Sequence, residues 1–366
     1  MRQSSHWIVR VLGHLDGILL TLVIVLLGIS LAVVASASGQ STARISGHLI
    51  NIGLALSVMV VMANVPPHLL SKVGLPLYVA GVVMLIGVAL FGEVRNGSRR
   101  WLNLGVMAFQ PSELMKLAVP LMLAWYFQRN EAVLRAKHFV VGAILLLVPF
   151  GLILRQPDLG TSLMIGASGF YLLFFAGLPW KVIIGGSTLG AASLPVVWGL
   201  LHDYQQRRVM TLLDPSADPL GAGYHIIQST IAIGSGGLFG KGWMEGTQTQ
   251  LDFIPERTTD FVFAVFGEEF GFVGTLFLMG LFLAIVARGL VIAARAPTMF
   301  GRLMAATLSL NLFTYVFVNM GMVSGILPVV GVPLPLMSYG GTALVTLLLG
   351  LGIVMSVATH RRLNKS

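Results

Sequence analysis

The stretch from Leu303 to His360 contains no Asp, Glu, Lys or Arg. Without charge it cannot build a water-facing surface. It is long enough to cross a bilayer twice, because one helical crossing needs about 20 mostly apolar residues. The Gly- and Pro-rich piece at 325–341 supplies the break between the two crossings. This stretch therefore predicts that the main solvent of the chain is lipid.

The rest of the chain has the same character, since it is 56% hydrophobic and only 10% charged, whereas soluble domains carry roughly 25% charged residues. The first apolar run is too long for a signal-peptide core and lacks a clear cleavage pattern. We predict an all-α polytopic membrane protein, a single domain over 1–366. Its ten expected spans are 17–37, 48–66, 73–91, 111–127, 138–154, 160–178, 181–201, 260–287, 302–323 and 341–359.

The net charge of +9 is explained by topology. With both termini in the cytoplasm, the inner loops and tails hold 13 of the 23 basic residues but only two of the 14 acidic ones, as the positive-inside rule requires. Nucleic acid is therefore not an expected partner. Cysteine is absent, which excludes disulfides and thiolate metal sites, and the scattered histidines have no metal-ligand spacing.

Two outer loops are long for simple connections, 92–110 and 202–259. Within the second, the apolar piece YHIIQSTIAIG is too short to span. It is expected to lie in the interface or to re-enter the membrane where protein or water surrounds it. The glycines of IGSGGLFGKG suggest a phosphate nest, but their spacing matches neither a P-loop nor a dinucleotide fingerprint.

Charged residues near the ends of spans are the functional candidates, because charge inside a membrane is costly. Most lie at predicted outer helix ends or in an outer loop, and they form an expected outward-facing cluster of Arg100, Trp101, Glu113, Lys116, Asp158 and Asp260. Glu113 and Lys116 are three residues apart and so share a helix face. Glu268 and Glu269 lie deeper and receive no chemical role.

Each candidate also has a structural interpretation. Lys116 can form an ion pair that only fixes helix packing. Asp260 can be a helix N-cap, a position that aspartate favours. Trp101 can be an interfacial anchor. Spacing alone leaves these alternatives open.

A carboxylate beside guanidinium and ammonium groups suits the attack of an acceptor hydroxyl on a phosphorylated donor. The carboxylate would act as general base, and the cations would stabilise charge on the leaving group. A lipid-linked precursor flippase and a noncatalytic scaffold are the alternatives. The outer position of most charges favours chemistry, whereas Glu268 and Glu269 keep transport open.

Five motifs resemble the SEDS family (shape, elongation, division and sporulation). They are GSRRWLNLGVMAFQPSELMKLAVP, RQPDLGTS, YQQRRVMTLLDPSADPLGAGYHIIQSTIAIGSGGLFGKGW, FIPERTTDFVFAVFGEEFG and VSGILPVVGVPLPLMSYGG. They cover nearly the whole chain in order. The elongation branch is the better match and the division branch the alternative. The resemblance implies ten transmembrane helices in the bacterial inner membrane, with both termini in the cytoplasm.

The resemblance also implies a peptidoglycan glycosyltransferase that polymerises lipid II and releases undecaprenyl pyrophosphate, in partnership with a class B penicillin-binding protein. A divalent cation, Mg²⁺ or Mn²⁺, would assist at the pyrophosphate, although no residue pattern requires one. By motif match Asp260 is the implied general base. The other implied roles are pyrophosphate binding by Arg100, Lys116 and Arg208, cavity lining or positioning of Lys116 by Glu113 and Asp158, and sugar or lipid contact by Trp101.

Overall fold

The computed structural model describes residues 13–95, 98–103, 108–156, 158–201, 203–218 and 221–360. The terminal basic residues counted for topology lie outside these ranges. The helices of the described part are α1 Gly17–Ala37, α2 Thr42–Asn64, α3 Pro67–Phe91, α4 Pro111–Arg129, α5 Ala136–Leu154, α6 Leu159–Phe175, α7 Trp180–Leu200, α8 Asp203–Leu213, α9 Ala222–Ser235, α10 Thr247–Gln250, α11 Val262–Ala294, α12 Met299–Val323 and α13 Gly341–Thr359. Helices α1–α7 and α11–α13 coincide with the ten predicted spans, so the predicted fold class is confirmed.

Seven of the described helices are long and apolar enough to cross a membrane: α1, α2, α3, α5, α11, α12 and α13. Helix α6 is apolar but has only 17 residues. Helix α4 carries Glu113 and Lys116, and most of its length is buried against other helices. A helix at membrane depth can carry charges when they face protein or a cavity rather than lipid.

Several helices begin earlier than the apolar pattern predicts. Helix α2 begins at Thr42 rather than at 48, and α3 begins at Pro67 rather than at 73. Helical hydrogen bonding continues through the polar interface, where hydropathy gives no signal. Proline suits the first turn of α3, because its missing N–H has no helical partner there.

The helices pack mainly in pairs, with α2 against α13, α3 against α4, and α11 against α12. Small residues allow close approach, as membrane helix interfaces require. A Cβ on Gly74 of α3 would lie 2.9 Å from the carbonyl oxygen of Leu121 of α4. The backbones of α3 and α4 therefore approach closely at the middle of α4.

Helix α11 is interrupted at Gly271, which has φ +67°. The loop 236–242 fills the break: the amides of 272–273 donate to the carbonyls of 237–238, and those of 241–242 donate to the carbonyls of 268–269. The freed backbone groups are thus paired with protein, as the membrane interior requires. A Cβ on Gly240 would lie 2.0 Å from the carbonyl oxygen of Glu269. These glycines serve packing, and the phosphate-nest interpretation is wrong.

The two long outer connections carry additional structure. The first contains a small antiparallel ribbon that the sequence did not predict, with strands β1 Glu93–Arg95, β2 Ser98–Asn103 and β3 Ala108–Phe109. In the second, the apolar piece forms the short helix α9, which packs on α11 and α12. Its buried Ser229 donates to the carbonyl of Val323 at 2.8 Å. The 14 residues of α9 are too few to span.

Candidate active site

A cavity of about 380 Å³ opens among the N-terminal turns of α4 and α6, the middle of α12, the N-terminal half of α13 and the loops that precede α11 and α13. Its polar lining includes Arg100, Gln110, Glu113, Lys116, Asp158 and Asp260. Its lining also includes apolar residues, among them Leu117, Leu308, Leu312, Leu347 and Leu351. The structure therefore brings together five of the seven residues predicted for the site.

Lys116 and Glu113 form the pair that their spacing predicts. Lys116 Nζ lies 2.6 Å from Glu113 Oε1, and both side chains are largely buried. The ammonium also lies 5.6 Å from the ring centroid of Tyr315 on α12, within the range of a cation–π contact. The carboxylate and the ring fix the direction of the ammonium group, which remains part of the cavity wall.

The side chain of Asp158 connects the loop 92–110 to the start of α6. Its Oδ1 accepts from the amide of Thr161 at 3.1 Å and so caps α6. Its Oδ2 lies 3.2 Å from Gln110 Nε2 and 3.8 Å from Arg100 Nη1. The Arg100 side chain also donates to the carbonyl of Gln156 at 3.3 Å. Asp158 therefore acts as an anchor that holds Arg100 at the cavity.

Asp260 lies in the loop two residues before α11, and so outside that spanning helix. The N-cap of α11 is Phe261, without a side-chain cap, so the N-cap interpretation of Asp260 is wrong. Gly331 lies opposite, with φ +71°, and a Cβ there would be 3.5 Å from Asp260 Oδ2. Burial, and then the charge of Glu256, raise the pKa of Asp260 to about 6. A carboxylate with this pKa is a better proton acceptor than an ordinary aspartate and is still ionised at neutral pH.

Two predicted residues do not line the cavity. Trp101 lies in β2, where it pairs with Glu93 across the ribbon. Arg208 lies in α8, at the start of the large loop. Neither is among the lining residues of the described part, and their contacts with sugar, lipid or pyrophosphate stay predictions.

The sequence did not single out several polar residues of the site, including Gln110, Asn311, Tyr315 and Tyr339. A signal for two of them exists. Asn311 and Tyr315 are four residues apart, and so lie on one face of α12, inside the charge-free stretch that begins at Leu303. A polar stripe in such a stretch indicates a cavity wall.

Glu268 and Glu269 lie outside the lining of this cavity. Both are fully buried. Glu268 pairs with Lys241 at 2.8 Å and accepts from the amides of Gln248 and Thr249. Glu269 accepts from the hydroxyl of Ser36 on α1. Both carboxylates therefore fasten the large outer loop and α1 to α11.

The described residues contain no group of three His, Asp or Glu side chains placed to hold a metal ion. Within the cavity, Glu113 is paired with Lys116, and Asp158 lies beside Arg100. A divalent cation bound mainly through protein carboxylates does not fit this arrangement.

Residues 14–363 match the model of a family described as FtsW/RodA/SpoVE, cell cycle protein. The chain belongs to this family. It is 53% identical over 351 residues to the peptidoglycan glycosyltransferase MrdB of Escherichia coli K12, covering 96% of this chain and 95% of MrdB. It is 36% identical to a probable peptidoglycan glycosyltransferase FtsW of Geobacter sp. M18, covering 83% of each chain. The higher identity to MrdB, the RodA of E. coli, agrees with the expected elongation branch.

Solved members of the family have the same fold. Thermus thermophilus rod shape determining protein RodA superposes with a TM-score of 0.72 at 31% identity, covering 95% of this chain and 98% of RodA. A chain from a structure described as the structural coordination of polymerization and crosslinking by a peptidoglycan synthase complex superposes with a TM-score of 0.81. Its identity is 36%, with 96% of this chain and 99% of that chain covered.

Proposed function

We propose that this protein is a peptidoglycan glycosyltransferase that polymerises lipid II during cell elongation. The observation that carries the proposal is the shared cavity. Asp260 and the cations of Arg100 and Lys116 line one space together with several leucines. A relative with 53% identity over nearly its whole length is named for this activity.

In the proposed reaction Asp260 is the general base. Its carboxylate takes the proton of the 4-hydroxyl of one GlcNAc. The oxygen attacks C1 of the MurNAc of a second lipid-linked chain, and the new bond has the inverted β configuration. The bond from C1 to the pyrophosphate breaks, and undecaprenyl pyrophosphate leaves with the electron pair. The raised pKa of Asp260 suits the proton transfer.

The cations of the cavity suit the leaving group. Negative charge develops on the pyrophosphate as the bond to C1 breaks, and fixed cations in a site shielded from water stabilise it at low reorganisation cost. Glu113 and Asp158 hold Lys116 and Arg100 in place through their contacts. We also propose that Arg208 contacts the pyrophosphate and that Trp101 contacts sugar or lipid, as the family resemblance implies.

The apolar part of the cavity suits a lipid-linked substrate. The leucines of α4, α12 and α13 line the cavity, and an undecaprenyl chain would contact them while its pyrophosphate stays beside Arg100 and Lys116. A divalent cation would reach the site bound to the pyrophosphate, where it would neutralise charge.

We further propose an inner-membrane location with both termini in the cytoplasm and the cavity facing outward, because basic residues concentrate in the inner loops. The partner is a class B penicillin-binding protein that supplies the transpeptidase. A solved neighbour from a peptidoglycan synthase complex supports this partnership.

The test uses the protein purified with its penicillin-binding partner, whose transpeptidase is blocked, and fluorescent lipid II. Glycan polymer is resolved on a gel for the wild type, Asp260→Ala and Asp260→Asn. We expect polymer from the wild type and none from either folded variant. Polymer from both variants would refute Asp260 as the base. No polymer from a folded wild-type complex, with or without divalent cations, would refute the transferase.

A further inference from the structure

The backbone that carries Asp260 is held by an unusual run of hydrogen bonds. The three consecutive carbonyl oxygens of 258–260 each accept one bond, and each donor lies elsewhere in the chain. The donors are the amide of Tyr339 at 2.8 Å, the hydroxyl of Ser338 at 2.6 Å and the side-chain amide of Asn319 at 2.8 Å. Two of the three are therefore side chains that a substitution can remove.

Asn319 and Ser338 each connect the Asp260 segment to a second piece of backbone. Asn319 is fully buried in α12, and its Nδ2 also donates to the carbonyl of Val332 at 2.7 Å. Ser338 is nearly as buried, and its Oγ also accepts from the amide of Leu334 at 2.8 Å. Val332 and Leu334 line the cavity. Both side chains thus fix the distance between the Asp260 segment and the facing wall.

The segment needs such support because no helix or strand of its own holds it. It follows a loop in which Asp252 and Glu256 have positive φ, +61° and +48°, and non-glycine residues rarely adopt that conformation. Asp260 itself precedes the first residue of α11. The amides of Thr259 and Phe261 close a local turn by donating to the carbonyl of Glu256, and the bonds from Tyr339, Ser338 and Asn319 attach this turn to the facing wall.

The position of a general base affects rate steeply, since a misplacement of about 1 Å costs on the order of 10²-fold. We propose that Asn319 and Ser338 are positioning residues that hold the Asp260 carboxylate against the cavity, a proposal that rests on the assignment of Asp260 as general base. Neither side chain takes part in proton transfer. Each acts through the backbone of the segment that carries the base.

A matched pair of serines separates positioning from stability. Ser229 of α9 is fully buried, as Ser338 nearly is, and donates to the carbonyl of Val323 at 2.8 Å. Ser229→Ala removes one tertiary bond to a buried carbonyl, whereas Ser338→Ala removes the bond to Thr259 and also leaves the Leu334 amide without its acceptor. Ser338→Ala should therefore lower thermal stability at least as much as Ser229→Ala. Only Ser338→Ala should affect the base.

The experiment measures lipid II polymerisation by the complex with its penicillin-binding partner, as a function of lipid II concentration and pH. For Ser338→Ala we expect kcat to fall by about tenfold, with KM nearly unchanged. The acid limb of the pH–rate profile should also move to lower pH, because a released carboxylate relaxes toward water. Asn319→Leu, which also removes the bond to Val332, should show the same pattern with a larger loss.

Several outcomes would overturn the proposal. One is that Ser338→Ala matches Ser229→Ala in both kcat and pH profile. Another is a change confined to KM, which would place Ser338 in substrate binding. If Asn319→Leu does not fold, the kcat and pH profile of Ser338→Ala alone test the proposal. Retained activity in Asp260→Asn would instead refute the assignment of Asp260 as general base. That result is distinct from a failure of the positioning role of Ser338 and Asn319.

Discussion

Replacement of Asp260 by Asn should abolish polymerisation and yet stabilise the protein at neutral pH. The carboxyl pKa is raised from 3.8 to about 6, first by burial and then by the charge of Glu256. A raised carboxyl pKa means that folding favours the protonated form. The stabilising contribution is complete below pH 3.8 and is lost as pH rises through about 6. A pKa difference of this size corresponds to at most about 3 kcal/mol.

Asparagine has nearly the shape of the protonated aspartate and carries no charge. Asp260→Asn should therefore unfold at a temperature a few degrees higher than the wild type at pH 7.5, because about 1 kcal/mol moves the melting temperature by a few degrees in a medium-sized domain. The advantage should shrink as pH falls through 6 and vanish near pH 4.

The assay is thermal unfolding of the purified protein in detergent or nanodiscs, over a pH series from 4 to 8. Glu245→Gln serves as the control, since Glu245 is exposed and lies in the same large loop. It should change the melting temperature little at any pH. An Asp260→Asn variant that is no more stable than the wild type at pH 7.5, or whose advantage does not depend on pH, would refute the assignment of a raised pKa.

Four further predictions follow from the contacts. Glu256→Gln should move the acid limb of the pH–rate profile to lower pH, because the charge of Glu256 raises the pKa of Asp260; an unmoved limb would contradict this. Lys116→Met should lower kcat by about 10²–10³-fold, with partial activity in Lys116→Arg; polymerisation at wild-type rate in Lys116→Met would remove the cation from the mechanism. Glu268→Ala should destabilise the fold by about 1–3 kcal/mol, because the partly buried Lys241 and the buried Thr249 lose their acceptor; an unchanged melting temperature would exclude this role. Chelation of divalent cations should slow polymerisation without moving the melting temperature of the substrate-free protein, in which no metal cage is expected; a shifted melting temperature would indicate a resident metal.

The helical architecture was largely predictable because membrane spans are defined by composition and length. Each predicted span coincides with a helix, and the errors lie at the ends, as at Thr42 and Pro67. The small ribbon around Ser98–Asn103 was not predicted. Its strands are very short, and short-range patterns do not distinguish such strands from loops.

The candidate site was predictable only in part. Charges identified Arg100, Glu113, Lys116, Asp158 and Asp260, because charge near a membrane span is costly unless it is used. Uncharged polar side chains carry no comparable signal. Their role depends on which helix face meets the cavity, and on contacts between segments far apart in sequence, neither of which a single sequence gives.

In the sequence Glu268 and Glu269 kept a lipid flippase open as an alternative, since two carboxylates inside a span suggest a polar path across the membrane. Glu268 instead accepts hydrogen bonds from the loop that leads toward Asp260, and Glu269 accepts from α1. Further along the same loop, the side chain of Arg257 donates to the carbonyl of Thr249 at 2.7 Å. The two carboxylates therefore support the large loop that leads to Asp260. Their burial is explained by these contacts within the protein.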